Sequence, residues 1–266
     1  MTYIKVIATA LLCIYVLIGL IIFLMQESLI FLPETLPENY AYEFEQVFEE
    51  HNLAMSDGAM INALHFKQAD SKGLIVYFHG NAGNLARWGE IVMPFVDLGY
   101  EVLIMDYRGY GKSTGNRTQK KLLSDAEEIY AFAKKLEREE RIIIFGRSLG
   151  CAFASYLASK NNPEKVILET PFYSLIDVAG KLFPIYPTSL LLQYRFPNHE
   201  CLEKVNAPVY IFHGTNDEVV PYESGQKLYE EHQDKATFIS VEGGHHNDLA
   251  LFPEYWNAME NVLNNE

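Results

Sequence analysis

The chain has only three cysteines, Cys13, Cys151 and Cys201, and neither a CxxC pair nor a Cys/His cluster. This speaks against a disulfide framework and against a zinc or dithiol redox centre. Basic charge is also scarce, with 21 Lys and Arg against 35 Asp and Glu and a formal net charge of −14. A surface so acidic disfavours nucleic acid and gives anionic lipid no electrostatic hold. Any membrane attachment must therefore be hydrophobic. Internal repeats and low-complexity stretches are missing too, which excludes a repeat array. What the chain does have is apolar residues, 49% of its 266 positions. That is enough for one sizeable α/β core and too many for a disordered chain.

The longest apolar run is Val6–Met25, VIATALLCIYVLIGLIIFLM, without a charge. As a helix it would extend about 30 Å, the hydrocarbon thickness of a bilayer. It exceeds the apolar core of a secretory signal, and the following QESLIFLP offers no small-x-small cleavage site. Residues 1–25 are therefore expected to be an uncleaved transmembrane anchor. Lys5 and the α-amino group precede the run, and the next basic residue is Lys67. The positive-inside rule then keeps the N-terminus cytoplasmic and puts the rest on the non-cytoplasmic side. Residues 26–43, with Pro33 and Pro37, read as a juxtamembrane linker.

Residues 44–67 alternate apolar and polar around Asp57-Gly58, a hairpin signal. Short apolar runs follow at 74–78, 101–106, 141–146, 165–170, 208–214 and 237–243. Such runs suit strands covered on both faces of a parallel sheet. Helical patterns alternate with them at Asn84–Leu98, Thr118–Leu136, after Ser148 and from Pro253. The expected fold is α/β: a mostly parallel, doubly wound sheet with N-terminal antiparallel strands, spanning 44–266. Residues 171–204 break the rhythm with four prolines and an apolar middle. They read as a small lid, with Phe183, Ile185, Leu191 and Phe196 lining an apolar passage.

Gly146-Arg147-Ser148-Leu149-Gly150 matches G-x-S-x-G, follows an apolar strand and opens a helix. A serine hydroxyl needs a base, and the base needs an orienting acid. Asp217 lies just beyond a strand in PVYIFHGTND, and His246 follows the last strand in TFISVEGGHHND. His245 competes for the base; Glu169 and Glu218 compete for the acid. The oxyanion requires two N–H donors, expected from the backbone of Leu149 and of Asn81 in HGNAGN. His79 is read as bracing that loop. GKS at Gly111–Ser113 fails as a phosphate loop, because Asp106 stands where that motif needs Gly. Arg108 reads as braced by carboxylates, although Arg108 or Arg147 could meet an acidic substrate group.

HGNAGN, DYRGYGKS, GRSLG, HGTNDEVVP and GGHHND, in this order, resemble the α/β-hydrolase superfamily. The set is similar to its single-span, membrane-anchored Bem-type branch, which is related to prolyl-oligopeptidase-like and serine aminopeptidase-like hydrolases. The resemblance implies Ser148 as nucleophile, Asp217 as acid, His246 as base and an N-terminal anchor. His245 departs from the small residue usual before that histidine. Some eukaryotic members of the branch are thioesterases that remove palmitate from proteins. The expected activity is hydrolysis of ester or thioester bonds in a small-molecule, lipid or acyl-protein substrate. It requires neither cofactor nor metal and involves no nucleic acid. The alternatives are a peptidase of prolyl or aminopeptidase type, and a catalytically silent membrane scaffold.

Overall fold

A computed structural model describes residues 2–264. Eight strands form one sheet: β1 (Phe48–Ala54), β2 (Met60–Phe66), β3 (Leu74–Phe78), β4 (Glu101–Met105), β5 (Ile142–Arg147), β6 (Lys165–Glu169), β7 (Val209–Gly214) and β8 (Ala236–Val241). Their order is β1-β2-β4-β3-β5-β6-β7-β8. The β1–β2 and β2–β4 pairings are antiparallel and the rest are parallel. This is the α/β-hydrolase fold the sequence leads one to expect.

The two-residue period of a strand divides its apolar side chains between two cores. Leu74, Val76 and Phe78 of β3 face one side. There they meet Ala126 and Ile129 of α3 (Gln119–Leu136) and Phe153 and Leu157 of α4 (Gly150–Ala158). Ile75 and Tyr77 face the other side, against Val92 and Phe95 of α2 (Leu85–Asp97) and Met259 of α9 (Pro253–Asn264). Each fully buried Leu or Phe contributes about 1.5–3 kcal/mol, which is why continuous apolar runs fill the central strands. Helix starts are set locally. The Asn84 side chain accepts from Ala86 N–H, and that of Thr118 from Lys121 N–H.

Residues 171–204 fold into three short helices, α5 (Leu175–Leu182), α6 (Thr188–Leu191) and α7 (Asn198–Leu202). A further helix, α8 (Tyr222–Glu230), follows β7.

The N-terminal region differs from expectation in two ways. The first helix, α1 (Thr2–Ile30), is 29 residues long and runs past Met25. Gln-Glu-Ser is compatible with helix, which ends at Ile30, three residues before the first proline, Pro33. Nor do residues 26–43 form a free linker. Phe31 is buried in the core, Tyr42 is buried, and Leu32–Pro33 pairs in parallel with Ala82–Gly83. Within α1 an apolar span long enough to cross a bilayer is almost wholly exposed.

Candidate active site

The turn after β5 places Ser148 at φ 52° in left-handed backbone, its N–H bonded to Glu169 O at 2.8 Å. Side chains at the flanking glycines would collide with backbone. A Cβ on Gly146 would stand 2.6 Å from Gly150 O, and one on Gly150 would stand 1.9 Å from Phe78 O. The strand-to-helix turn can close this tightly only because both positions lack one. Cys151, just behind, is fully buried with its thiol on Gly146 O at 3.1 Å. Burial pushes that thiol well up, so it is not poised as a nucleophile.

Three loops converge on Ser148. His246 Nε2 lies 2.9 Å from Ser148 Oγ, and His246 Nδ1 lies 2.8 Å from Asp217 Oδ2. An ionised carboxylate only accepts, so Nδ1 carries the proton and Nε2 is left to accept from the Ser148 hydroxyl. Asp217 Oδ1 accepts from Val219 and Val220 N–H at 2.9 and 2.8 Å. Burial pushes the Asp217 carboxyl up, but hydrogen bonds from His213 and His246 outweigh it, helped by Val220 N–H. The net result lies well below the usual carboxylate range. The array is fit to move a proton from Oγ to an imidazole whose charge is met by a fixed carboxylate.

The competing groups are engaged elsewhere. His245 is exposed and bonds Glu218 at 2.9 Å, an ion pair that raises its pKa and lowers that of Glu218. Glu169 meets Arg147 Nε at 3.0 Å and the Tyr255 hydroxyl at 2.7 Å, with Arg147 lying over the Trp88 ring. Arg108 is held by Asp125 and Asp57 at 2.6 and 2.7 Å. Lys112 pairs with Glu50. His79 is fully buried, bonding Gly80 O at 2.7 Å and stacking on Trp88.

Leu149 is the N-cap residue of α4, and Asn81 lies in the loop after β3. Among the described residues neither backbone N–H has a protein acceptor. The Asn81 carbonyl is occupied, accepting from Leu32 N–H at 2.8 Å and the Tyr110 hydroxyl at 2.6 Å. DYRGYGKS thus contributes by holding this loop.

Above Ser148 is an apolar cavity of about 230 Å³. Asn81, Leu149, Val219 and Val220 line its floor; Phe172, Leu175, Phe183 and Leu191 line its cover. Two of the expected lining residues are corrected. Ile185 is 70% exposed and outside the cavity, while Phe196 is buried in the core against Phe153 and Tyr194. A two-sided apolar segment offers no pattern to say which side chains face in. Sequence reasoning also missed His213, 3.3 Å from Asp217 Oδ2. It missed the α1 residues that reach the cavity as well, Ile22, Phe23, Gln26, Leu29 and Ile30. One further group, Glu49, His51 and His65, has potential metal-ligand atoms close together. Lys67 already pairs with Glu49, and buried His65 hydrogen-bonds Glu101, so the group reads as a satisfied polar cluster of the sheet.

Strand order, a serine on a strained strand-to-helix turn and a histidine against it define a hydrolase of the α/β type. Comparison with known proteins agrees. The family model described as Serine aminopeptidase, S33 matches residues 69–199. An uncharacterized protein of Acanthamoeba polyphaga mimivirus is 32% identical over 80% of this chain and 80% of its own. The human alpha/beta hydrolase domain-containing protein 17B is 32% identical over 74% of this chain and 68% of its own. The Pyrococcus furiosus esterase PF2001 shares the fold at TM-score 0.70 and 19% identity, covering 88% of this chain and 96% of that one. The chain belongs to the α/β-hydrolase superfamily.

Proposed function

We propose that the protein is a membrane-anchored serine hydrolase that cleaves ester or thioester bonds of acyl substrates. The observation that carries this reading is Ser148 Oγ, 2.9 Å from His246 Nε2, at the floor of an apolar cavity. Ser148 attacks the acyl carbonyl while His246 takes its proton and Asp217 steadies the imidazolium. The tetrahedral oxyanion is held by the N–H groups of Asn81 and Leu149. Collapse breaks the bond to the alcohol or thiol, which leaves with the proton from His246. Water, deprotonated by the same imidazole, then attacks the acyl-serine; the acid is released as Ser148 Oγ departs with that proton from His246. In this reading α1 is the anchor, and Lys5 on its N-terminal side favours a hydrolase domain on the non-cytoplasmic face.

The description of the matching family favours a second reading, an aminopeptidase. A peptide amine calls for a carboxylate, and the residues lining the cavity include none. That supports the acyl reading.

The test is labelling of the detergent-solubilised protein with a fluorophosphonate, followed by rates on p-nitrophenyl esters and peptide amides. Labelling is expected in the wild type and in His245→Ala, and not in Ser148→Ala or His246→Ala. An unlabelled wild type would leave the silent-scaffold reading standing. Preference for amides over esters would favour the peptidase.

A further inference from the structure

Helix α1 makes contacts that a simple tether does not need. Ile22, Phe23, Gln26, Leu29 and Ile30 line the cavity that holds Ser148. Their spacing puts them on one helical face. That face is bound to the lid by specific bonds. Gln26, 5% exposed, accepts from Gln193 N–H at 2.8 Å and donates to Phe23 O at 2.7 Å. The Tyr194 hydroxyl donates to Glu27. Higher up, Tyr15 stacks on Tyr186 at 4.6 Å, and each hydroxyl donates to lid or helix backbone, Tyr15 to Ile185 O and Tyr186 to Tyr15 O. Gly19 allows this approach, since a Cβ there would stand 3.0 Å from the Tyr186 ring. The contact runs along about 22 Å of helix, from Tyr15 to Ile30. The opposite face, with Leu17, Leu20, Ile21 and Leu24, is exposed. Leu182, Ile185 and Leu190 on the lid are 69, 70 and 81% exposed and extend that apolar surface.

We propose that helix α1 forms a wall of the acyl-binding pocket, so that its inner face determines which acyl chains are accepted. This rests on the hydrolase reading above. The ligand is the hydrocarbon tail of a medium- or long-chain ester or thioester. Its carbonyl lies at Ser148 and its tail runs between Ile22, Phe23 and Leu29 on one side and α5 and α6 on the other. The lipid-facing surfaces of α1 and the lid tip flank this channel, which suits a tail that already partitions into a bilayer.

The test uses the intact protein in detergent and compares kcat/KM on p-nitrophenyl palmitate and butyrate. Adding bulk to the wall, in Ile22→Trp or Leu29→Trp, lowers the palmitate-to-butyrate ratio by about tenfold or more. Phe23→Ala removes bulk and shifts the ratio the other way. Leu24→Trp, on the exposed face, leaves the ratio unchanged. Fluorophosphonate labelling of each variant verifies that the Ser148 site has folded. Labelled variants with an unaltered ratio overturn the wall and leave the hydrolase standing. An equal drop in Leu24→Trp also overturns it, as a general disturbance of the helix. A wild type that neither labels nor hydrolyses fails the hydrolase reading, and the wall with it.

Discussion

His213 Nε2 lies 3.3 Å from Asp217 Oδ2, the oxygen that also receives His246 Nδ1 at 2.8 Å. His213 is wholly buried on β7, and its Nε2 also meets Val220 O at 2.9 Å. Helix α8 closes over the ring at Gly225, where a Cβ would stand 2.3 Å from His213 Nδ1. The carboxylate is thus fixed from behind by a group outside the Ser–His–Asp array.

His213→Ala therefore lowers kcat on a short ester by about tenfold, as expected for loss of an orienting hydrogen bond. Asp217→Asn, which disturbs the imidazole tautomer itself, lowers it by about 10⁴-fold. Steady-state rates on p-nitrophenyl butyrate separate the two. An unaltered kcat in His213→Ala would mean that His213 serves the fold and does not position Asp217.

The depressed pKa of Asp217 also predicts the course of acid unfolding. The folded state favours its carboxylate, so the unfolded chain takes up the proton first. This contribution is complete above the ordinary carboxyl pKa of about 4 and is lost as pH falls through the folded value. Urea midpoints followed downward from about pH 5 should fall more steeply for the wild type than for Asp217→Asn. Parallel slopes would remove Asp217 from the account of acid stability.

Glu169 is expected to matter for stability and not for proton transfer. Its two oxygens hold Arg147 and Tyr255, and both ends of the ion pair are buried. Glu169→Ala leaves the guanidinium unpaired and costs about 3–5 kcal/mol in urea unfolding. The pH profile of kcat for the remaining folded enzyme keeps its shape. A displaced profile would return Glu169 to contention as the acid.

Gly150→Ala tests the turn. The added methyl meets Phe78 O at 1.9 Å, so α4 must retreat from β3. The expected cost is about 1–3 kcal/mol, read from the thermal midpoint, together with loss of fluorophosphonate labelling. Normal labelling would show that the turn tolerates a wider fit.

Most of the sheet could be read from the chain because central strands carry their burial openly, as in LIVYF and RIIIFG. Gly146, Ser148 and Gly150 were legible because a short motif with a steric reason stands between a recognisable strand and helix. Ser148, Asp217 and His246, each read from its own loop, lie within hydrogen-bonding reach along the chain Ser148–His246–Asp217. Where a segment is apolar on every side, the pattern gives no direction. Ile185 and Phe196 were indistinguishable from Phe183 and Leu191, and only packing turns one pair outward or into the core. Gln26 is a similar case. It stood as the first residue of the expected juxtamembrane linker, yet its amide is buried against lid backbone that lies 165 residues away in sequence.

The junction between α1 and the sheet is short. Leu32 N–H bonds Asn81 O, and the Asn81 side-chain amide bonds Ile30 O at 3.1 Å. Two residues beyond its last turn, the helix is therefore fastened to the loop expected to receive the oxyanion. A pull along α1, from a thickening or stretching bilayer, would reach Asn81 without any slack chain to absorb it. The rate of such an enzyme would carry a mechanical signature, varying with the lipid thickness in which it is reconstituted.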